Sequence, residues 1–429
     1  MQPKNNIIGI DKIKLKYWLK LFSITGSTQI LVQAVSFISG ILVIRLLPVE
    51  QYALYTLANT MLGMMTILSD VGISTGVMAL GGKVWQNKQR LGAVLATGLD
   101  LRRKFAGFSL LISIPILCYL LLHHGANIIT TVLITASLIP AFYAALSDNL
   151  LQIPVKLHQA ITPLQRNQVE VSAGRLVLTG LTLFAFPWAF VAIIASGIPR
   201  IWGNMRLKKI TNEFADEQAE VDTEDRKEML KIVRRIIPGA IYYALSGQIT
   251  IWLISIFGKT LAVAQLGALN RISALFIVFT TLIETLIIPR FARLVQKKII
   301  ILKYYIRVLI LTFLLMLFIT GIFYLFSPQI LWILGKEYYS LNYELVLNTI
   351  CSSIVIITGI AFSLYSSRGW VLSPVISITL NILLIITGCF IFNISTLQGV
   401  LYLNIFVSII GLFVNFIFGF YNILRLKDK

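Results

Sequence analysis

Charged residues are scarce in this sequence and fill 13% of its 429 positions. Soluble globular proteins carry about 25% charged residues. Acidic residues are scarcer still, with 18 Asp and Glu against 37 Lys and Arg. With 57% hydrophobic residues and a mean hydropathy of +0.84, the composition excludes an ordinary soluble domain and indicates a membrane protein. The basic residues stand between apolar runs, as in cytoplasmic loops, and therefore do not indicate a nucleic-acid surface.

Catalytic and metal-binding patterns are absent as well. Cys118, Cys351 and Cys389 each lie inside an apolar run, which indicates packing rather than a disulfide framework. His123 and His124 have no third ligand near them in the sequence, so an interfacial role is favoured over a metal site. No P-loop, GxSxG or zinc signature occurs. We therefore expect no enzyme activity, no metal and no ATP-driven pumping by this chain itself.

Long apolar runs fill most of the chain, and a helix needs about 20 such residues to cross a bilayer. The segment 91–101 is predicted to extend the third span as an interfacial helix. We predict twelve spans, at residues 21–44, 52–69, 105–122, 127–147, 171–186, 188–204, 237–257, 263–288, 305–326, 344–366, 372–392 and 397–421.

The basic residues indicate how these spans are oriented. With both termini in the cytoplasm, the outward connections hold only Arg45, Lys259 and Lys336. Arg175 and Arg271 lie within spans, and all other Lys and Arg residues are then assigned to the cytoplasmic side. This asymmetry is what the positive-inside rule expects.

One long polar segment, residues 206–235, separates two apolar halves. We interpret it as a soluble connector that acts as a hinge. The chain then divides into an N-terminal six-helix bundle (1–205), the connector (206–235) and a C-terminal six-helix bundle (236–429).

The two halves also resemble each other weakly. Residues 42–60 align with residues 253–271 at a fixed offset, which places Asn59 on Asn270. Many transporters use internal repeats of this kind to build a central site between two bundles. The predicted fold is therefore an all-α polytopic membrane protein, with about 12 transmembrane helices in two six-helix bundles around a central cavity.

Three stretches resemble a known family. ILVIRLLPVEQYALY (41–55), followed by LSDVGIST (68–75), resembles the opening of Wzx-type polysaccharide flippases, the O-antigen and exopolysaccharide repeat-unit translocases of the MATE-like MOP superfamily. ILWILGKEYYS (330–340) is similar to the family's run before the tenth span. The positions that match the opening pattern are Arg45, Leu46, Leu47, Glu50, Tyr52, Tyr55, Asp70 and Gly72, whereas Pro48, Val49 and Ala53 depart from the usual Gly, Pro and Gly.

The resemblance implies a flippase in the bacterial cytoplasmic (inner) membrane. It would move undecaprenyl-diphosphate-linked oligosaccharide repeat units from the cytoplasmic to the outer leaflet by alternating access, for O-antigen or capsule synthesis. The implied partners are the lipid-linked oligosaccharide and membrane lipid, with no nucleic acid; contact with other polysaccharide assembly proteins is left open. No bound cofactor is expected, and proton or sodium coupling is left open.

A charge inside a span is costly and usually faces a cavity. Arg271 lies about 12 Å into the eighth predicted span at 1.5 Å per residue, and a guanidinium pairs with phosphate oxygens in bidentate fashion. We predict that Arg271 contacts a diphosphate or acidic sugar, with a structural ion pair or a snorkelling side chain as the alternatives. Asn59 and Asn270 are candidates for the same cavity or for interhelical hydrogen bonds. Arg175 is a further cavity candidate, although a snorkelling anchor is favoured.

Three more charged residues are candidates for gating or coupling. Asp70 and Glu284 lie near inner helix ends in equivalent hairpins, where they can meet nearby arginines, cap helices or exchange protons. Arg45 lies at the outer end of the first span beside Glu50, where a local ion pair is the simpler interpretation.

Two other functions compete with flipping. A MATE-like multidrug or small-molecule antiporter should carry acidic residues at mid-membrane, whereas the clear charge there is Arg271. A polytopic polysaccharide polymerase or glycosyltransferase would need a sizeable outer loop with clustered Asp, His or Arg. The longest predicted outer connection, residues 326–342, carries only Lys336 and Glu337.

Overall fold

Every described element of the computed structural model is a helix. The structure describes residues 12–158, 160–246, 249–276, 279–280, 283, 287–288, 291, 297–368, 370 and 372–426. The α-helices are α1 (Lys12–Leu46), α2 (Val49–Asp70), α3 (Ile73–Val84), α4 (Lys88–His123), α5 (Ile128–Leu157), α6 (Ile161–Ala185), α7 (Ala189–Thr211), α8 (Thr223–Ser246), α9 (Ile249–Phe257), α10 (Thr260–Ser273), α11 (Lys298–Leu325), α12 (Ser327–Leu334), α13 (Asn342–Ser366), α14 (Pro374–Ile391) and α15 (Leu397–Leu424). Short 3-10 turns lie at Ala274–Phe276 and Lys336–Tyr338.

Several of these helices are long and apolar enough to cross a membrane. Within the described residues, six helices are candidate spans by length and composition, namely α4, α5, α11, α13, α14 and α15. The helices α2 and α3, which are bent by 44° relative to each other, together form a seventh candidate. The chain is therefore a multi-pass membrane protein. Each of the twelve predicted ranges overlaps a helix, but twelve spans in two six-helix bundles remain a prediction.

The third predicted span is part of a longer helix. α4 begins at Lys88 rather than at residue 105, because the segment 91–101 continues it without a break. Asn87 caps this helix, since its side-chain oxygen accepts a hydrogen bond from the Arg90 backbone N–H at 3.0 Å. Seventeen further residues of helix, Lys88 to Lys104, therefore precede the apolar run.

The eighth predicted span, residues 263–288, is not one continuous α-helix. α10 ends at Ser273 and tightens into the 3-10 turn Ala274–Phe276. The break follows Arg271 closely. Irregular backbone at membrane depth is tolerated where it is packed in protein or lines a cavity, and Leu275 lines a cavity of about 280 Å³ beside Arg271.

The buried apolar side chains of the described residues form three clusters. The outer cluster extends inward from the predicted outer end. It combines side chains of α1, α2, α4, α5 and α7 with side chains of α9, α10, α12, α13 and α15, and includes Val43, Met61, Leu120, Leu266 and Leu345. The first inner cluster joins α3, α4, α5, α7 and α8 and includes Ile73, Val94, Leu150, Met229 and Val233. The second inner cluster joins α11, α13 and α15 and includes Tyr305, Ile360 and Ile423.

The polar segment 206–235 is folded against earlier helices. Its start completes α7 and its end begins α8. Between them, the Asp216 N–H donates to the Lys88 carbonyl at 3.0 Å, and the Asp222 N–H donates to Thr97 Oγ1 at 3.0 Å. The segment is therefore attached to the start of α4, while the predicted division into 1–205, 206–235 and 236–429 stays a prediction.

Side chains add to this attachment. Arg90 pairs with Asp222 at 2.6 Å and with Asp225 at 3.4 Å. The Arg90 hydrogen bond holds the pKa of the Asp222 carboxyl below its usual value. Burial instead raises the pKa of Asp225, so Asp222 is the firmer of the two partners.

The two aligned hairpins have turns of the same length. Residues 47–48 separate α1 from α2, and residues 258–259 separate α9 from α10, at equivalent positions of the alignment. The wider repeat remains a prediction.

Candidate functional site

Arg271 projects from the last turn of α10 toward α2. It lies roughly 17 Å along the helix from Thr260 at 1.5 Å per residue. Its guanidinium lies beside the hydroxyls of Tyr52 and Tyr55, which are both buried. A Cβ at Gly40 of α1 would stand 3.3 Å from Arg271 Cδ, so the glycine leaves room for the arginine. Arg271 belongs to the C-terminal half of the chain, and its guanidinium therefore lies among helices of the N-terminal half.

Arg175 of α6 lies beside Tyr55 as well. The side chains of Arg175 and Asn59 both lie beside the Tyr55 hydroxyl. Tyr55 thus stands between two guanidinium groups, Arg175 and Arg271, which come from distant parts of the sequence. Within the described part of the chain, neither arginine forms an ion pair with a carboxylate. Two cations that share one neutral oxygen make a site that favours an anion.

Two neighbouring cavities meet at Asn59. The central cavity has a volume of about 250 Å³ and is lined by Tyr52, Thr56, Asn59, Thr60, Ile251, Gly267, Asn270 and Arg271. The N-terminal cavity has a volume of about 380 Å³, and its polar lining consists of Asn59, Asp148, Asn167, Gln168, Ser172, Arg175, Ser196, Arg200 and Asn204. The four predicted substrate residues, Asn59, Arg175, Asn270 and Arg271, therefore all line these two cavities. Their roles remain predictions.

Several buried polar atoms along the N-terminal cavity have no protein partner. Asn59 Nδ2, Asn167 Oδ1 and Arg175 Nε are buried without a hydrogen-bond partner among the described residues. Buried polar groups are normally satisfied by protein, water or ligand. Two donors and one acceptor on one cavity wall are suited to hydroxyl and phosphate groups.

Sequence reasoning missed the polar face of α7 that lines the N-terminal cavity. Ser196, Arg200 and Asn204 recur at every fourth residue, which places them on one helix face. Arg200 pairs with Asp148 of α5 at 3.6 Å. The four-residue spacing is visible in the sequence, but these residues lie at the inner end of a predicted span. Polar residues are common at span ends, so the spacing alone does not indicate a cavity.

Asp70, a predicted gate or coupling residue, is paired within the N-terminal helices. It lies 3.5 Å from Arg102, whose side chain is only 2% exposed. It also accepts hydrogen bonds from the Ser74 backbone N–H at 3.2 Å and from Ser74 Oγ at 2.6 Å. This contact ties the α2–α3 turn to α4. Glu284, the other acidic candidate, lies outside the described residues.

Arg45 has a different partner from the one that the sequence suggests. Its guanidinium does not pair with Glu50 but donates to two backbone carbonyls of α12, from Nε to Ile333 at 2.8 Å and from Nη2 to Trp332. It also lies 5.0 Å from the centre of the Trp332 ring. Arg45 therefore fastens the end of α1 to α12, beside an outer cavity of about 820 Å³.

Solved structures, but no family model and no curated protein sequence, match this chain. It is 14% identical to a multidrug resistance MATE family transporter of the MOP superfamily in its inward-facing conformation, over 92% of this chain and 94% of that one, with a TM-score of 0.67. The outward-facing conformation of a multidrug resistance MATE family transporter matches at 15% identity, over 94% of both chains, with a TM-score of 0.63. The chain has the MATE fold.

A third match concerns the polarity of the site. A MOP superfamily transporter from Pyrococcus furiosus, described as having a binding pocket of reverse polarity, is 16% identical over 95% of this chain and 96% of that one, with a TM-score of 0.61. At these identities the likeness establishes the fold alone. The match confirms the predicted all-α fold class.

Proposed function

We propose that this MATE-fold protein is a flippase for a lipid-linked oligosaccharide with a diphosphate headgroup, which it moves to the outer leaflet by alternating access. The observation that supports this is the pair Arg175 and Arg271, which meet at the buried hydroxyl of Tyr55. Positive charge at this point attracts a phosphate-bearing substrate and repels an organic cation.

Each part of the site has a role in this proposal. Arg271 and Arg175 bind the diphosphate from opposite sides, and the Tyr55 hydroxyl donates to a phosphate oxygen between them. The sugars occupy the N-terminal cavity, where Asn59 Nδ2 and Asn167 Oδ1 are free to bond hydroxyls. The lipid tail stays in the bilayer throughout.

Substitution of Arg271 tests the proposal in cells that depend on this protein for export. Arg271→Ala should abolish surface polysaccharide at a normal membrane level of the protein, with lipid-linked repeat units accumulating in the inner leaflet. Arg271→Lys keeps the charge but loses the planar fork, so we expect partial function at best. Lys303→Ala removes the same charge from an exposed position on α11 and should leave export intact.

Full export by the Arg271→Ala protein would rule out the proposal. If that protein instead disappears from the membrane, Arg271 is a structural residue, and Arg175→Gln, which alters the other guanidinium, becomes the deciding variant. Surface polysaccharide and protein level are measured together in every case.

Small-molecule antiport is the second candidate. The same fold occurs in multidrug resistance transporters, and the carboxylate of Asp148 lines the N-terminal cavity. Its pairing with Arg200 at 3.6 Å offsets the negative charge that a cation would need. Efflux of a cationic dye that is lost in Asp148→Asn and retained in Arg271→Ala would favour antiport over flipping.

A further inference from the structure

His124 connects the N-terminal helices to the C-terminal helices at the predicted outer end. It follows α4 directly, and its Nδ1 lies 3.0 Å from Thr260 Oγ1, at the start of α10. Its Nε2 lies 2.8 Å from Ser255 Oγ, in α9. The residue is 9% exposed, so both ring nitrogens depend on hydroxyl partners. We call this contact, together with the Arg45–Trp332 contact, the outer seam.

An imidazolium at this position has no carboxylate on the outer parts of the elements that make the contact. The sequence contains no Asp or Glu between residues 101 and 147 or between residues 229 and 283, which covers the outer parts of α4, α5, α9 and α10. Residues 369–424, which include the start of α15, contain no charged residue. On α2, which packs against α4, the charged residue nearest the outer end is Glu50, which is exposed.

The other titratable side chains beside His124 in the described residues are a histidine, a tyrosine and a lysine. The ring of His123 lies 5.4 Å from that of His124, and Tyr119 stacks on His123 at 5.9 Å. Lys259 immediately precedes Thr260. Burial and the neighbouring His123 both lower the pKa of His124, which agrees with a site that holds the neutral ring.

We propose that His124 is a proton-binding site that controls the outer seam: the neutral ring holds the seam closed, and a proton taken up from outside favours its opening. A neutral imidazole donates from one nitrogen and accepts at the other, which suits two hydroxyl partners. A proton adds a charge that the buried site cannot compensate and that water solvates once the seam parts. The closed seam is therefore favoured above the pKa of an exposed histidine, about 6.5, and loses this advantage as the pH falls.

Distance measurements across the seam test this without any transport assay. Spin labels at Ile128, at the start of α5, and Gln398, at the start of α15, report the separation of two exposed outer positions. The full chain is studied in lipid nanodiscs by double electron–electron resonance at about pH 7.5 and about pH 5.5, on either side of the usual histidine pKa. The background carries serine in place of Cys118, Cys351 and Cys389.

The ratio of open to closed seam should rise by up to about tenfold at the lower pH, the limit set by one proton bound only in the open arrangement. His124→Gln keeps hydrogen-bonding capacity but cannot be protonated, and it should abolish the response. His123→Gln should retain it. Arg45→Ala should raise the open population at both pH values, since it removes the contact to α12, and should keep the pH response, since His124 is unchanged.

An unchanged pH response in His124→Gln, or none in the parent protein, would overturn the proposal. If His124→Gln fails to fold, Ser255→Ala removes one hydroxyl partner and leaves the ring in place. It should increase the open population already at about pH 7.5, and an unchanged population there would count equally against the proposal. None of these outcomes depends on which substrate the protein carries.

Discussion

The two ends of the molecule are built differently. At the predicted outer end, one apolar cluster is shared by N-terminal and C-terminal helices, and Arg45 and His124 add polar contacts across it. At the inner end, the apolar side chains that the structure describes form two separate clusters. A shared core resists separation, whereas two cores stabilise their own helices and leave the boundary between them free. In an alternating cycle the outer contacts must break, while each inner cluster can stay intact.

The largest effect is expected inside the first inner cluster. Asp70→Ala removes the carboxylate 3.5 Å from Arg102, a side chain that is 2% exposed. Leaving a buried cation without its partner should cost about 3 kcal/mol. Thermal unfolding of the detergent-purified protein measures this loss as a lower Tm, and the outer spin-label distance should not change.

A second variant identifies the cause. Asp70→Ala combined with Arg102→Met removes both charges and should recover most of the stability. If the single variant melts like the parent protein, Arg102 is compensated from elsewhere, and Asp148 is the carboxylate that also acts on it.

A smaller effect is expected where α2 and α10 cross in the shared cluster. A Cβ at Gly267 would stand 2.5 Å from Thr56 Oγ1 and 2.7 Å from its Cγ2. Gly267→Ala should therefore cost about 1–3 kcal/mol through overpacking and should widen the outer spin-label distance.

Two controls separate this steric effect from helix propensity. Gly321→Ala adds a Cβ that meets no atom within 4 Å, so it reports helix propensity alone: it should not lower the Tm and should leave the outer distance unchanged. Thr56→Ala removes two of the three nearest atoms and should rescue Gly267→Ala in part. A Gly267→Ala protein with a normal outer distance would show that the two sets of helices are not held together at this crossing.

The smallest effect concerns the polar segment at the inner end. Arg90→Gln breaks the contacts to Asp222 and Asp225 and should speed hydrogen–deuterium exchange in residues 213–222. Because Arg90 lowers the pKa of Asp222, the contact is present above the ordinary carboxyl value, about 3.9, and is lost only as the pH falls through the lowered one. Exchange, corrected for its intrinsic rate, should therefore be independent of pH near neutrality.

Lys227→Gln is the matched control for this variant. Lys227 pairs with Glu224 within α8 at 2.9 Å, so its loss should not release the segment. Equal exchange in the two variants would mean that the backbone contacts of Asp216 and Asp222 hold the segment without help from Arg90.

The helices could be predicted because they follow from local apolar runs. The convergence of Arg175 and Arg271 on Tyr55 could not, because it depends on how α2, α6 and α10 pack. In the sequence Tyr55 is only one match to a family pattern, and nothing local distinguishes it from Tyr52.

The outer seam was harder still to predict. Arg45 bonds to backbone carbonyls, which every residue possesses and no side-chain pattern reveals. The partners of His124 are 131 and 136 residues away in the sequence and are ordinary hydroxyls. Spacing can place a histidine at an outer turn, but it cannot say which helix lies opposite.

The attachment of the polar segment to the N-terminal helices changes where a hinge between the N-terminal and C-terminal helices is expected. Because Met229 and Val233 pack in the first inner cluster, the start of α8 travels with the N-terminal helices. Pro238 interrupts the backbone hydrogen bonds of α8, and a side chain at Gly239 would meet nothing within 4 Å. We therefore expect the swivel to lie inside α8 at Pro238 rather than in the charged segment before it, so that one helix belongs to both moving bodies.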